Sequence, residues 1–284
     1  MASCPLGYGS GKAKDHPMAC ASCHGIAFEP TYALVCKCIY CNACVGDVRD
    51  CYSCGRDIEG SEPAPEFQEK INVFLSAHGP KEGRELGMFW LEQAVKHEKK
   101  GNFMAADARY IQALEAFRED GKNSKQEIAI CMSKQAEIRW QRLSDVESGR
   151  EMFKEAVRQL ISETNPENVD FTTLAVTYMK WGALEHSIAN LRAAAELFKC
   201  ATEARENAFV KGMCDGEDVV ASRFALANVR VDLGENKAAE ELFRELLETL
   251  PQGDQLTARG NAMRQMAEER LRDIHTSSTE LNPR

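Results

Sequence analysis

Four closely spaced pairs of cysteines near the N-terminus constrain the fold of this chain more than any other feature. From Cys20 the order is C-x2-C, twelve residues, C-x-C, two residues, C-x2-C, six residues and C-x2-C, ending at Cys54. Because each short pair can wrap one ion from a tight turn, eight thiolates can close two tetrahedral sites. The spacing therefore predicts two structural Zn²⁺ ions, held by Cys20, Cys23, Cys36, Cys38, Cys41, Cys44, Cys51 and Cys54.

Other uses of clustered cysteines fit the sequence less well. The opening MASCPLGYGSGKAKD has no apolar core of a signal peptide, so we expect a cytoplasmic protein with reduced thiols rather than a disulfide scaffold. CASCH at 20–24 matches a haem-attachment string, but haem attachment needs export and a separate axial ligand. Cys4 and His16 lie outside the eight, and an unliganded thiol is favoured over a partial third metal site.

The order of the pairs resembles the RING-type cross-brace, with Cys38 where that family usually has histidine. In a cross-brace the first and third pairs share one ion, and the second and fourth pairs share the other. The resemblance implies one zinc bound by Cys20, Cys23, Cys41 and Cys44, and a second bound by Cys36, Cys38, Cys51 and Cys54.

Composition changes near residue 60, where GSEPAPEF (60–67) separates cysteine-rich sequence from long stretches of helix-forming residues. We expect a RING-like module with an N-terminal arm over 1–60, a linker and connecting helix over 61–80, and a helical repeat domain over 81–284. The three later cysteines are predicted to be small packing residues within helices. They are Cys131, Cys200 and Cys214.

Internal repeats define the second part of the chain. Small residues recur around aromatic anchors at 110, 153, 198 and 243, which are 43, 45 and 45 residues apart. Small residues let two helices approach closely while the aromatic fills the gap to the next pair, so we expect the anchors to be core residues. The pattern favours a tetratricopeptide-like array over HEAT repeats of similar period, with a capping helix over 254–275. The predicted fold class is mostly α.

Charge and motifs favour a protein-binding function. The net charge is −9, and the first sixty residues carry five basic against six acidic residues, so the helical part is acidic. Nucleic acid and membrane surfaces are therefore not expected partners. Nucleotide binding is not expected either, because the sequence has no glycine-rich phosphate loop. Sites closed by four thiolates leave no position for a catalytic water, so we expect no enzymatic activity of the metal.

A ubiquitin ligase with a repeat-domain substrate receptor is the alternative hypothesis, since RING-type domains commonly recruit ubiquitin-conjugating enzymes. Ligase RINGs usually carry an aliphatic residue before the second ligand, a proline after the seventh and a basic residue after the eighth. This chain has Ser22, Tyr52 and Gly55 at those places, with Arg56 one position late. The apolar docking patch of a ligase is therefore not expected to be well formed.

Several segments of the chain carry a further resemblance: CPLGYGS (4–10), HPMACASC (16–23), DCYSCGRDIEG (50–60), FQEKINVFLSAHG (67–79) and LAVTYMKWGALEHSIANLRAAAELFKCATEARENA (174–208). They are similar to the plant NO CATALASE ACTIVITY family of RING-like, tetratricopeptide-repeat chaperones. The resemblance implies a non-enzymatic chaperone or adaptor that binds a catalase client and promotes its folding without ATP. Repeat geometry makes Met88, Leu91, Met179 and Phe224 candidates for contact with the client, and packing in the core is the equal alternative for each.

Overall fold

The computed structural model of the protein describes residues 17–46, 48–79, 82–120, 124–161, 169–250 and 257–280. These residues form three short strands and eleven helices. The chain divides into two compact units, Met1–Leu143 and Ser144–Arg284. No helix in the described part of the chain has the length and apolar character needed to cross a membrane.

A small antiparallel sheet organises the cysteine-rich segment of the first unit. Its strands are β1 (Pro30–Ala33), β2 (Ile39–Cys41) and β3 (Ser61–Pro63), in the order β2-β1-β3. Thr31 in the central strand lies opposite Tyr40 on one side and Pro63 on the other. The short helix α1 (Asn42–Val45) follows β2 directly. Strands of three or four residues are too short to show a period of two, which is why the sequence did not predict them.

Four longer helices complete the first unit: α2 (Pro65–His78), α3 (Gly83–Lys99), α4 (Phe103–Asp120) and α5 (Lys125–Arg142). Proline in the first turn suits the start of α2, because the amide nitrogen there needs no partner within the helix. Ile71 of α2 and Phe89 of α3 share one core with the cysteine-rich segment, including Tyr40. That segment and the first long helices therefore pack together, while the predicted boundaries at 60 and 80 stay a prediction.

The second unit consists of helices, α6 (Val146–Ile161), α7 (Phe171–Ser187), α8 (Leu191–Val210), α9 (Gly216–Asp232), α10 (Asn236–Thr249) and α11 (Ala258–Glu280). Asp170 caps α7 by accepting hydrogen bonds from the backbone amides of Thr172 and Thr173, both at 3.1 Å. Met263, Ala267 and Ile274 of α11 are buried in the core formed with α9 and α10. A helix thus covers the last helix pair, while the predicted capping role over 254–275 stays a prediction.

The repeat pattern is confirmed in the helix pairs. The four aromatic anchors are buried and fall on every second helix, and the fold is mostly helical with tetratricopeptide-like repeats. One local prediction is wrong: Cys214 lies in the turn between α8 and α9 rather than in a helix. Its thiol is 3.5 Å from the carbonyl oxygen of Arg205, so the turn gives it a polar partner that a helix interior would not. The anchors are Tyr110, Phe153, Phe198 and Phe243.

Candidate metal centres

The first group of thiols joins a loop to the end of the β1–β2 hairpin. Its four sulfur atoms all lie within 4.8 Å of one another, and they belong to Cys20, Cys23, Cys41 and Cys44. The loop is tightened where the backbone amide of His24 donates to the carbonyl of Cys20 at 2.9 Å. Cys41 ends β2 and Cys44 lies in α1, so a strand followed at once by a helical turn brings the second pair to the first.

The second group lies at two tight turns, and its sulfur atoms also fall within 4.8 Å of one another. The β1–β2 turn is closed by the amide of Lys37, which donates to Ala33 at 2.8 Å. The other turn is closed by the amide of Gly55, which donates to Cys51 at 2.7 Å, and its φ of 72° favours glycine. These turns bring together Cys36, Cys38, Cys51 and Cys54.

The spacing of the sulfur atoms suits zinc. A tetrahedral site with Zn–S bonds of about 2.3 Å has sulfur–sulfur edges of about 3.8 Å. The Cys23 and Cys41 sulfurs are 3.8 Å apart, and those of Cys38 and Cys54 are 3.9 Å apart. All eleven cysteines in the described ranges are free thiols. Each group can thus offer four soft donors to one ion, which is the donor set of structural zinc sites.

The two groups differ in their exposure to solvent. In the first group three of the four cysteines are buried and Cys44 is half-buried. In the second group only Cys51 is buried, whereas Cys54 is exposed. Reagents in solution therefore reach the second group more directly than the first.

Contacts among the thiols lower the pKa of some members of each group and raise the pKa of others. In the first, the neighbouring thiols of Cys23 and Cys41 donate to Cys20 and lower its pKa well below the ordinary value. In the second, burial opposes ionisation, but the hydroxyl of Tyr40 donates to the Cys51 sulfur at 3.2 Å. With nearby backbone amides, this bond lowers the pKa of Cys51 to about 6. Thiolates are the form that binds metal, and Cys20 and Cys51 are thiols whose hydrogen bonds favour that form.

Side chains from α3 and the turn after it also reach the first group, and the sequence did not predict them. The ring nitrogen Nδ1 of His97 lies 3.5 Å from the Cys23 sulfur and 3.9 Å from that of Cys41. Burial, followed by the charge of Arg109, lowers the pKa of His97 to about 4, so the ring is neutral at pH 7. Asn102 places its amide nitrogen Nδ2 3.5 Å from the Cys44 sulfur.

The remaining predicted residues occupy more ordinary positions. Cys4 and His16 lie outside the described residues. His24 is a half-buried loop residue with a φ of 57°. Tyr52, at a position where ligase RINGs usually have proline, has a side chain that is 67% exposed.

The four predicted client-contacting residues differ in their exposure to solvent and in their packing. Met88 on α3 is 47% exposed, and Leu91 is half-buried. Met179 packs against a buried cluster of the second unit. The ring of Phe224 lies 5.8 Å from that of Phe243. Met88 is therefore the most accessible of the four.

Comparison with known proteins supports the sequence resemblance. No family model matches the chain. A search of curated proteins aligns it with a relative over 285 residues at 25% identity, covering 88% of this chain and 70% of that relative. The chain is similar to Protein NCA1 of Arabidopsis thaliana. The resemblance predicted from the cysteine segment and the central repeat is thereby confirmed.

Two solved structures show the same type of fold. BtubC from P. vanneervenii superposes with a TM-score of 0.51 at 16% identity, covering 78% of this chain and 75% of that protein. The apo form of RapI superposes with a TM-score of 0.52 at 17% identity, covering 66% and 62%. Both are helical repeat proteins of the tetratricopeptide type. At this level of identity the likeness concerns the fold alone.

Proposed function

We propose that this protein is a non-enzymatic chaperone or adaptor that holds a partly folded client through its helical repeats. The observation that carries the proposal is the similarity to Protein NCA1 over 88% of the chain, which includes both the cysteine segment and the repeats. Tetratricopeptide-like arrays present extended surfaces to other proteins, so the fold agrees with a binding role. The family resemblance supports a catalase as the client.

In this proposal the two thiol groups each bind one structural zinc. Four thiolates fill the coordination shell of zinc, which leaves no open position for water or substrate. The metal would therefore stabilise the cysteine-rich segment rather than catalyse a reaction. Free thiols at such density persist in a reducing compartment, so we place the protein in the cytoplasm.

Client capture without nucleotide would work by mass action. A protein that binds partly folded chains shields their apolar surface until a cofactor or partner subunit arrives. Met88 is an exposed apolar residue on α3, and we assign it to the client surface. Met104 on α4 is 62% exposed and offers a matched control of the same residue type in the same unit.

Co-expression with a catalase tests the proposal. The full chain should raise the yield of active catalase and co-purify with it, and Met88→Glu should weaken both effects while Met104→Glu leaves them unchanged. The ligase hypothesis is tested on the same preparation with purified ubiquitin-activating and ubiquitin-conjugating enzymes. Ubiquitin-chain formation that depends on the cysteine groups, with no change in catalase yield, would make the ligase the better account.

A further inference from the structure

Two side chains from the α3–α4 hairpin contact the first thiol group although they lie far from it in sequence. His97 is 74 residues from Cys23, and Asn102 is 58 residues from Cys44. His97 is completely buried and Asn102 is 4% exposed. Polar side chains buried to this degree need partners, because a buried polar group without a hydrogen bond is costly. The sulfur atoms provide those partners.

The surroundings of His97 determine which ring nitrogen carries the proton. A neutral imidazole has one N–H and one lone pair. Nδ1 faces the sulfurs of Cys23 and Cys41, whereas Nε2 is buried and has no hydrogen-bond partner among the described residues. A proton on Nδ1 is satisfied by thiolate, while a proton on Nε2 would be a buried donor without an acceptor. We therefore assign the proton of the neutral ring to Nδ1, the tautomer in which His97 donates to sulfur.

Further contacts fix this geometry. Gln93 lies one turn before His97 on the same face of α3, and its oxygen Oε1 accepts from the amide of Ile26 at 2.9 Å. Gly25 leaves space for the ring, since a Cβ atom there would stand 3.3 Å from Nε2 of His97. Asn102 also caps α4, because its Oδ1 accepts from the amide of Ala105 at 3.2 Å. Asn102 thus caps α4 and also contacts the Cys44 sulfur.

We propose that His97 and Asn102 are outer donors to the ligands of the first metal site, so that a metal bound there stabilises the α3–α4 hairpin. This inference rests on the proposal above that the first group binds zinc. Donors behind a metal ligand orient it and disperse its charge, and their loss commonly lowers metal affinity by about 10–100-fold. The coupling is reciprocal: the hairpin strengthens metal binding, and the metal protects the hairpin.

Substitutions in the full chain show whether His97 acts as a hydrogen-bond donor to the ligands or only as a packing residue. Asparagine at 97 keeps an N–H at the position of Nδ1, whereas leucine places a methyl group there. His97→Leu should raise the dissociation constant of the zinc site formed by the first group about 10–100-fold, and His97→Asn should recover most of the loss. Asn102→Ser keeps a capping oxygen but removes the amide nitrogen that reaches the Cys44 sulfur, so it tests the second contact even if His97→Leu folds poorly. His186→Asn is the control, because this exposed histidine belongs to the second unit and pairs with Asp232 at 2.7 Å.

Zinc affinity is measured by competition with a chromophoric chelator, and amide hydrogen exchange over Gly83–Lys99 is the second readout. We expect faster exchange in His97→Leu than in the wild type, with His186→Asn unchanged in both measurements. The inference is overturned if His97→Leu binds zinc within twofold of the wild type, or if His97→Asn is as weak as His97→Leu. The zinc content of the wild type is determined first. A chain that binds no zinc refutes the metal assignment itself, before any variant is compared.

Discussion

Gly182 on α7 lies directly against the ring of Phe198 on α8. A Cβ atom built at Gly182 would stand 2.7 Å from Cε1 and 2.8 Å from Cδ1 of that ring, closer than carbon atoms approach. The absence of a side chain at 182 is therefore what lets the two helices meet at this level. Gly87 and Phe117 repeat the relationship in α3 and α4, where a Cβ would fall 2.5 Å from the ring.

Gly182→Ala should destabilise the second unit. Overpacking a close contact costs about 1–3 kcal/mol, which outweighs the gain of about 1 kcal/mol in helix propensity. Denaturant unfolding followed by circular dichroism measures the change. Gly216→Ala is the matched control in the same unit, since the nearest atom to its new Cβ would be 4.0 Å away, and we expect it to be neutral or slightly stabilising. Equal losses in both variants would contradict the close-contact explanation.

The two metal sites should lose zinc in a fixed order. Because Cys54 is exposed and the first group is mostly buried, a chelator with a thiol-reactive reagent should release one zinc quickly and the other slowly. Absorbance of a zinc-sensitive dye records the two phases. Cys54→Ser should remove the fast phase and keep the slow one. Release of two ions in one phase would show that the difference in exposure does not control their lability.

Tyr40→Phe should weaken the second site selectively. The Tyr40 hydroxyl donates to the Cys51 sulfur and accepts from the amide of Tyr52 at 3.0 Å, so its removal leaves the amide unsatisfied and raises the pKa of Cys51. We expect zinc affinity at this site to fall about 10-fold or more, with the slow phase of release unchanged. The titration of Cys51 in metal-free protein, followed by alkylation rate, checks the pKa change. An unaltered alkylation profile would count against the hydrogen bond.

Glu185→Gln should reduce stability in a pH-dependent way. Burial raises the pKa of Glu185, but bonds from Arg150 at 2.6 Å, Asn190 at 2.8 Å and Trp181 at 3.2 Å outweigh it, and the net pKa lies below 4.5. A lowered pKa means that the carboxylate stabilises the fold at neutral pH and that this stabilisation is lost as the pH falls through the lowered value. The substitution should cost about 1.5–3 kcal/mol at pH 7.

The difference between Glu185→Gln and the wild type should shrink as the pH falls below 4.5, in unfolding curves recorded across the acid range. Glu151→Gln is the control, because Glu151 forms an exposed pair with Lys154 at 3.3 Å. Exposed pairs contribute about 0–1 kcal/mol, so this variant should stay close to the wild type at every pH. A constant difference for Glu185→Gln down to acid pH would refute the ionic explanation.

The helical fold could be predicted from the sequence because its signals are local and periodic. The offsets of small residues around Tyr110, Phe153, Phe198 and Phe243 reflect helix pairs, and each of these rings is buried. Cys214 shows the limit of the method, since a single residue near a helix end carries no signal of where the helix stops. The short strands were not predicted for a related reason, because three or four residues cannot show an alternation of apolar and polar side chains.

The thiol groups were predictable for a different reason. A C-x2-C pair encodes a turn that fixes both members together, and the resemblance to the cross-brace implies how the four pairs sort into two groups. Gln93, His97 and Asn102 gave no such signal. They lie on the face of a helix and in a turn amid charged residues such as Lys96 and Glu98, and their burial depends on a contact between segments far apart in the chain.

The separation of Asn102 from Cys44 has a consequence for synthesis on the ribosome. The four cysteines of the first group are made before either donor from the hairpin, and Asn102 follows Cys44 by 58 residues. At 5–20 residues per second this interval lasts about 3–12 s. During that time a nascent chain has the ligands of the site but lacks the groups that cover it. Zinc bound early would exchange with the solution until the hairpin emerges. Once residues 97–102 are in place, the chain would retain the ion.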